Sequence, residues 1–237
     1  MALVSYGKFQ FHKMVSTERQ AIFETVKPIE SNIITEKDVT HLPMIVQKWL
    51  SNAGVLGKIN IQKVELTQIG EMRMKPESDW MKFKANQVFN VQNPSFIWDV
   101  EVAMMPILQL GGLDKFQDGQ GEMLIKLGYL FNVVNEGKNE QINTASMVRY
   151  LAEIMWFPSA ALSPYLKWES INETSAKAIM SYKDLDVEGT FEFSESGEVI
   201  SFSALRYYDS GKEAKLEEWF IENLGYTNLN GYRIPNQ

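Results

Sequence analysis

The chain has 237 residues, of which 45% are hydrophobic and 12% aromatic, and its formal net charge is −7 at pH 7. This content is sufficient for a substantial core. An acidic chain without a dense basic run argues against binding to nucleic acid or to an anionic membrane surface. The absence of cysteine excludes disulfides, thiolate nucleophiles and cysteine-based zinc sites.

Residues 1–40 are predicted to form an N-terminal helical arm. Apolar residues recur at spacings of seven, four and three from Val15 to Ile29, which predicts a helix over residues 14–30 that Pro28 ends or kinks. The short apolar stretch ahead of this helix is followed by basic residues. It has two interpretations, which are the remnant of a membrane anchor and an ordinary chain terminus.

Residues 41–237 are predicted to form one antiparallel β-sheet domain of the α+β class. The domain begins with a short helix whose apolar face runs from Ile45 to Leu50. From Lys58 onward the apolar period changes from 3.6 to two, which is typical of half-buried strands. The links between the strands are short and rich in turn residues, whereas parallel neighbours would need a helix between most strands.

Two strands, 83–91 and 96–104, are predicted to form a hairpin around Pro94. A change in the parity of the apolar residues after Ile61 predicts a β-bulge near Lys63. Later alternations predict strands around residues 123–131, 176–182, 187–193, 200–204 and 219–221.

The stretch 109–122 is rich in glycine and aspartate, and it is predicted to contain one short strand, Leu113–Phe116, between turns. Its glycines match neither a dinucleotide-binding nor a phosphate-binding loop, so they are interpreted as turn residues. Its aspartates are interpreted in the same way, and the alternative is that they supply oxygen ligands to a hard cation. The residues concerned are Gly111, Gly112, Gly119, Gly121, Asp114 and Asp118.

The helical period returns over residues 141–157, where Met147, Leu151 and Ile154 share one face. Asn143 or Thr144 is predicted to cap this inserted helix, and Pro158 is predicted to stop it.

The candidate ligand-binding residues cluster on this helix. Arg149 and Glu153 are four residues apart, which indicates either a surface ion pair or a partly buried polar pair that orients a ligand. Aromatic side chains accompany the pair, and one more is expected from the neighbouring strand. The predicted set is Arg149, Tyr150, Glu153, Trp156, Phe157 and Trp98.

No catalytic, metal-binding or cofactor-binding motif is present in the sequence. The two histidines, His12 and His41, have no serine or aspartate partner at a known spacing, and the serine-hydrolase elbow motif is absent. The sequence therefore predicts no metal and no cofactor.

The run RYLAEIMWFPSAAL and the following WESINETSAKAIM resemble a widespread bacterial family of domains of unknown function. Further resembling segments are LPMIVQKWLSNAGVLGK, EMRMKPESDWMKFKANQVF and GYRIPNQ, so the resemblance covers roughly residues 40–237. It departs at the end of the chain, because members continue for two or three strands beyond the last of these segments.

The resemblance implies a bacterial origin and membrane helices ahead of the domain, which favours the interpretation of the N-terminal stretch as a truncated anchor. It also implies a fold of the lipoprotein-carrier type, in which a large curved antiparallel sheet forms a half-barrel with helices on its concave face. It implies no established activity.

These observations lead to three functional hypotheses. The first is a non-enzymatic domain that binds a lipid or another apolar small molecule in a half-open barrel, with the helix 144–157 as a plug or lid. The excess of aromatic residues and the Met-rich strand end at Met104 and Met105 favour it, because methionine adapts to irregular apolar surfaces. The second is a membrane-tethered interaction module that pairs through helix 14–30. The third and weakest is an enzyme that uses Glu153 as general acid or base beside Arg149. The oligomeric state stays open.

Overall fold

The computed structural model of the chain describes residues 2–27, 33–105, 108–208, 211 and 214–237. The helices in these ranges are α1 (Ala2–Glu24), α2 (Glu36–Val39), α3 (Met44–Asn52) and α4 (Glu140–Glu153), with 3₁₀ turns at Ile154–Trp156 and Pro158–Leu162. The strands are β1 (Lys63–Met72), β2 (Met81–Asn90), β3 (Ser95–Met105), β4 (Leu108–Gln117), β5 (Gln120–Leu127), β6 (Phe131–Gly137), β7 (Leu166–Ser170), β8 (Ser175–Tyr182), β9 (Leu185–Phe193), β10 (Val199–Tyr207), β11 (Leu216–Glu222), β12 (Tyr226–Leu229) and β13 (Tyr232–Pro235).

The chain divides into two compact units. The first comprises Met1–Lys27 and Lys63–Ser146, and the second comprises Pro28–Gln62 and Met147–Gln237. The first unit contains the six-stranded sheet β1-β2-β3-β4-β5-β6, and the second contains the five-stranded sheet β11-β10-β9-β8-β7 and the β12-β13 hairpin.

Every strand pairing in these sheets is antiparallel, so the prediction of an antiparallel α+β fold is confirmed. The prediction of one large curved sheet is wrong, because the strands separate into two main sheets, neither of which closes into a barrel. The sequence could not reveal this separation, since each run of neighbouring strands has the same local pattern. The division into residues 1–40 and 41–237 stays a prediction.

The six-stranded sheet has apolar residues on both faces. Val88, Ile97 and Leu113 lie on the face that α1 covers, which we call the first face. Ala85 and Val100 have the opposite parity along the same strands, so they lie on the second face. Both groups are buried.

Helix α1 is longer than the predicted helix 14–30 and begins twelve residues earlier than expected, at Ala2. Phe11, Val15 and Ile22 are its buried residues, and they recur at spacings of four and seven that place them on one side of the helix. The early turns lacked this signal, because their apolar residues include the exposed Leu3 and Phe9. The helix ends at Glu24 and residues 25–27 are not helical, so the prediction that it continues to Pro28 is wrong.

Two predictions about the first unit's strands are wrong. No bulge occurs near Lys63, because β1 begins at that residue and pairs without a shift to Met72. The parity change arises because Ile61 precedes the strand. The predicted short strand Leu113–Phe116 is the middle of the ten-residue β4.

Three of the four predicted turn glycines belong to strands. Gly111 faces the ring of Tyr129 on the first face, while a Cβ at Gly112 would lie 2.7 Å from Val100 Cγ1 on the second face. A Cβ at Gly121 would lie 2.6 Å from the carbonyl oxygen of Ile142. Gly119 alone occupies a turn, with a φ of 78°. The other three are small because neighbouring groups approach the strand closely.

The second unit is organised around Trp49 of α3. Its ring lies 5.9 Å from the rings of Trp168 and Phe193 and 6.1 Å from that of Phe191. These contacts connect α3 to β7 and β9 and confirm the predicted apolar face of this helix. The predicted hairpin between β9 and β10 is also present, as is the predicted strand near residues 219–221, which corresponds to β11. It is not the last strand, because β12 and β13 follow it.

The contact between Gly111 and Tyr129 predicts an effect on stability. A methyl group at Gly111 would overlap the buried Tyr129 ring, so Gly111→Ala is expected to lower the free energy of unfolding by about 2 kcal/mol. Urea denaturation measures this loss. Gly137→Ala is the control, because its nearest neighbour is the flexible side chain of Glu122, and a smaller loss is expected. Equal losses would contradict the packing argument.

Candidate functional site

The inserted helix α4 begins one residue earlier than predicted and ends at Glu153, so the predictions that it extends to residue 157 and that Pro158 stops it are wrong. Asn139, rather than Asn143 or Thr144, caps α4, because its Oδ1 accepts a hydrogen bond of 2.9 Å from the backbone N–H of Ile142. The side chain of Asn143 instead accepts a hydrogen bond of 2.8 Å from the backbone N–H of Gly121 in β5. Beyond Glu153 the chain continues as two 3₁₀ turns on either side of Phe157.

The first turns of α4 pack on the second face of the six-stranded sheet. Gly121 pairs with Phe116, which belongs to that face, and the open side of Gly121 meets Ile142 and Ser146. Phe116 continues a row of fully buried rings across this face, with Phe96 6.4 Å away. The first turns of the inserted helix and α1 therefore lie on opposite faces of the same sheet.

The second half of α4 carries a buried tyrosine cluster. Tyr150 is completely buried, its ring packs 5.8 Å from that of Phe157, and its hydroxyl lies 2.9 Å from the hydroxyl of Tyr165. The ring of Tyr165 in turn lies 6.5 Å from that of Tyr182 on β8. These contacts join α4 to the strands of the second unit.

Burial controls the acidity of these tyrosines. It raises the pKa of the Tyr150 phenol well above its usual value, with a further contribution from the neighbouring Tyr165. Burial also raises the pKa of Tyr165 to about 12, against the opposing effect of hydrogen bonds with Ser163 and Tyr150. Both phenols are therefore neutral hydrogen-bonding groups at physiological pH.

The ion pair predicted from sequence spacing is present. Arg149 Nε donates a hydrogen bond of 2.8 Å to Glu153 Oε1, and the two side chains are only 16% and 8% exposed. This burial favours the partly buried polar pair over the surface pair. A buried carboxylate is stable beside a guanidinium because the pair offsets part of the cost of removing both charges from water.

The six predicted ligand-binding residues do not belong to one compact unit. Trp98 lies on β3 in the first unit, whereas Arg149, Tyr150, Glu153, Trp156 and Phe157 belong to the second. Tyr150 and Phe157 are fully buried, while Trp156 is half-buried. A role of these residues in ligand binding stays a prediction.

An apolar cluster on the second face of the six-stranded sheet was not predicted as a site. All its residues come from β1 to β5, and its centre is buried while its margin is half-exposed. The sequence signal was the alternation itself, but alternation does not show which apolar face receives a covering helix. The buried centre is Ala85, Val100, Val102 and Leu110, and the margin is Met72, Met81, Phe83, Trp98, Ile125 and Leu127. We call this set the strand cluster.

A short hydrogen-bonded chain of polar groups borders the strand cluster. The indole Nε1 of Trp98 donates to Gln68 Oε1 at 2.7 Å, and Gln68 Nε2 donates to Gln87 Oε1 at 3.1 Å. All three residues lie on the second face, because they pair across the strands with residues of the same parity. The second face therefore changes from apolar to polar within one step along the strands.

The alternative cation site at Asp114 and Asp118 has no support in the geometry. Asp114 is a buried strand residue on the second face, while Asp118 lies in the tight turn after β4. Within the ranges that the structure describes, no group of three or more aspartate, glutamate or histidine side chains is placed to hold a metal ion.

The buried ion pair predicts a large effect of charge removal. Glu153→Gln removes the negative charge that accepts the Arg149 hydrogen bond in a buried pair, so a loss of about 2 kcal/mol in the free energy of unfolding is expected. Glu188→Gln is the control, because Glu188 is 64% exposed in its pair with Lys177, and a loss below about 0.5 kcal/mol is expected. Chemical denaturation of both variants measures the difference, which would vanish if the Arg149 pair were as solvated as the control.

The raised pKa of Tyr165 predicts a loss of stability at alkaline pH. The folded state keeps the phenol proton up to about pH 12, whereas the unfolded chain releases it near the ordinary value of 10.0. The stabilisation is thus complete below pH 10 and is lost as the pH rises toward 12. Tyr165→Phe is expected to flatten this part of the profile of unfolding free energy against pH. Tyr208→Phe, at an exposed position, is expected to retain the wild-type slope, and equal slopes in the two variants would contradict the assignment.

Comparisons with known proteins identify a family but no function. Residues 32–237 match the family of unknown function DUF6544. No match was found among curated proteins or among solved structures, so the expected likeness to lipoprotein carriers stays a prediction. Among the described residues, no helix has the length and apolar character needed to cross a membrane.

Proposed function

We propose that this member of the DUF6544 family of unknown function is a non-enzymatic domain that binds an amphipathic molecule such as a single-chain lipid. The observation that carries this proposal is the strand cluster, an apolar surface formed by strand side chains with a half-exposed margin. The ligand would lie along the second face of the six-stranded sheet.

The margin of the strand cluster is suited to an acyl chain. Met72 and Met81 face each other across β1 and β2, and methionine adapts its shape to irregular apolar surfaces. Phe83 lies opposite Gly70, where a Cβ would come 2.8 Å from its Cε1 atom, so the ring spreads over the neighbouring strand. An apolar tail that covers these half-exposed groups gains about 25 cal/mol for each Å² removed from water.

The polar border of the cluster is suited to a head group. Gln68 already accepts from Trp98 and donates to Gln87, and a primary amide retains a second N–H and a second lone pair. A head group can therefore hydrogen-bond to Gln68 without breaking the existing chain. The first turns of α4 lie beyond this border on the same face, which supports a role of the inserted helix as a lid.

A membrane-tethered interaction module is the alternative proposal. It is favoured by the start of α1, where Leu3, Tyr6 and Phe9 are exposed apolar or aromatic residues. If this helix pairs with a second copy, light scattering should give twice the monomer mass, and Phe9→Lys should restore the monomer. A monomer in the wild type at high concentration would exclude self-pairing.

An enzymatic role of Glu153 with Arg149 is the weaker alternative. The side chain of Glu153 is 8% exposed and its carboxylate accepts a hydrogen bond from Arg149, so a substrate would reach it only if the surrounding side chains move. The proposal of a binding domain needs no such opening.

Substitutions on the two faces of β1 test the lipid proposal. Met72→Glu places a charge on the margin of the strand cluster, and it is expected to weaken binding of dodecanoate about tenfold or more, because a carboxylate must then lie beside the tail. Displacement of an environment-sensitive apolar dye measures the affinity, and native mass spectrometry of the purified wild type measures any lipid that co-purifies.

Ile69→Glu is the matched control. It makes the same change on the same strand, but Ile69 lies on the first face and is 82% exposed. Wild-type affinity is expected in this variant. The proposal fails if the wild type binds neither dye nor dodecanoate, or if both variants lose affinity equally.

A further inference from the structure

A groove in the first unit lies on the face opposite the strand cluster. It follows one side of α1, from His12 through Arg19 to Phe23, and its other wall comes from β1 to β3. Its volume is about 320 Å³, which is at the lower end of the range of small-molecule sites. Nothing in the proposed function uses this groove, because an acyl chain on the second face would be separated from it by the sheet.

A buried carboxylate forms the floor of the groove. Asp99 Oδ2 accepts a hydrogen bond of 3.2 Å from Asn86 Nδ2, and Asp99 Oδ1 lies 3.4 Å from Arg19 NH1. The side chain of Asp99 is 8% exposed, so its charge acts through a medium that screens it less than water does. Asn86 and Asp99 are directly opposite each other on β2 and β3, which holds this pair in register.

A second carboxylate stands at the mouth of the groove. Glu65 on β1 pairs with the same guanidinium of Arg19 and remains 64% exposed. Two carboxylates thus share one guanidinium. The three lining residues Arg19, Glu65 and Asp99 together have a net charge of −1. Glu65 and Gln20 are exposed residues of the groove lining, and their side-chain oxygens can accept hydrogen bonds from a ligand.

Apolar side chains form the remaining wall. Val15 is buried, and Phe23 presents a half-buried ring whose centroid lies 5.0 Å from the ammonium of Lys63. This ring therefore already attracts a cation to one side. The groove combines a surplus carboxylate at its mouth with an apolar surface a short distance along α1.

We infer that this groove binds a small organic cation in which a protonated amine is joined to a compact apolar group. The ammonium would donate to Glu65 and Gln20 at the mouth, with the charge of Asp99 behind Arg19 adding attraction. The apolar group would pack against Val15 and Phe23. A ligand of the opposite charge would meet Glu65 and Asp99 unfavourably, and a neutral one would lose the attraction to Glu65.

Three probes of the same shape test the inference by isothermal titration calorimetry on the full chain. They are phenethylammonium, phenylpropionate and phenylethanol, which differ mainly in carrying a positive, a negative or no charge. Only phenethylammonium is expected to give saturable binding with one site per chain. The inference is overturned if phenylpropionate or phenylethanol binds as tightly, or if phenethylammonium does not bind.

Two charge-neutralising variants separate the groove from the general negative charge of the protein. Glu65→Gln is expected to weaken phenethylammonium binding about tenfold, because it removes the surplus carboxylate. Glu71→Gln removes the same charge from the same strand and the same face but lies outside the groove lining, so wild-type affinity is expected. Equal weakening by the two variants would show attraction by net charge alone and would overturn the inference.

Both variants change exposed side chains of an edge strand, and thermal unfolding establishes that each is folded. The result is also independent of the lipid proposal. Met72→Glu alters the second face and is expected to leave phenethylammonium binding unchanged, while Glu65→Gln is expected to leave dodecanoate binding unchanged.

Discussion

The first unit depends on one constraint: an antiparallel sheet with apolar residues on both faces has to cover both of them. Helix α1 covers Val88, Ile97 and Leu113 on the first face. The start of α4 packs on the second face beside the buried row of phenylalanines. The strand cluster lies on the same second face, where strand side chains form a buried centre with a half-exposed margin. The proposed lipid site uses this margin.

The sequence predicted the local structure best where side chains alternate with a clear period. The β2–β3 hairpin was predicted because its apolar residues repeat every second position and Pro94 marks the link. The separation into two sheets was not predictable in this way, because it depends on pairings that alternation does not specify. The interpretation of the strand glycines as turn residues was wrong for a related reason. Gly111 and Gly112 are small because Tyr129 and Val100 approach them from other parts of the chain, and a local pattern contains no information about such neighbours.

The candidate sites show the same limit. The spacing of Arg149 and Glu153 predicted their ion pair, since residues four apart are neighbours on any helix. Their burial could not be deduced, because it depends on what packs over the helix. The groove beside α1 could not be predicted from the sequence. Arg19 and Asp99 are separated by 80 residues, and neither has a sequence motif around it.

The two proposed binding surfaces make different demands on the protein. The groove is bounded by charged groups already fixed by mutual contacts, so a cation would add to an ordered site at little cost in conformational entropy. The strand cluster is different, because its centre is already packed and an acyl chain gains only what it covers at the margin. A dissociation constant near 1 μM requires about 8 kcal/mol, which at about 25 cal/mol for each Å² corresponds to roughly 300 Å² of apolar surface even before the cost of association is counted. The apolar groups on β1 and β2 that can supply this area are Met72, Met81 and Phe83, which are half-exposed at the margin of the cluster. Affinity in the micromolar range therefore depends on how much of these three side chains the acyl chain covers.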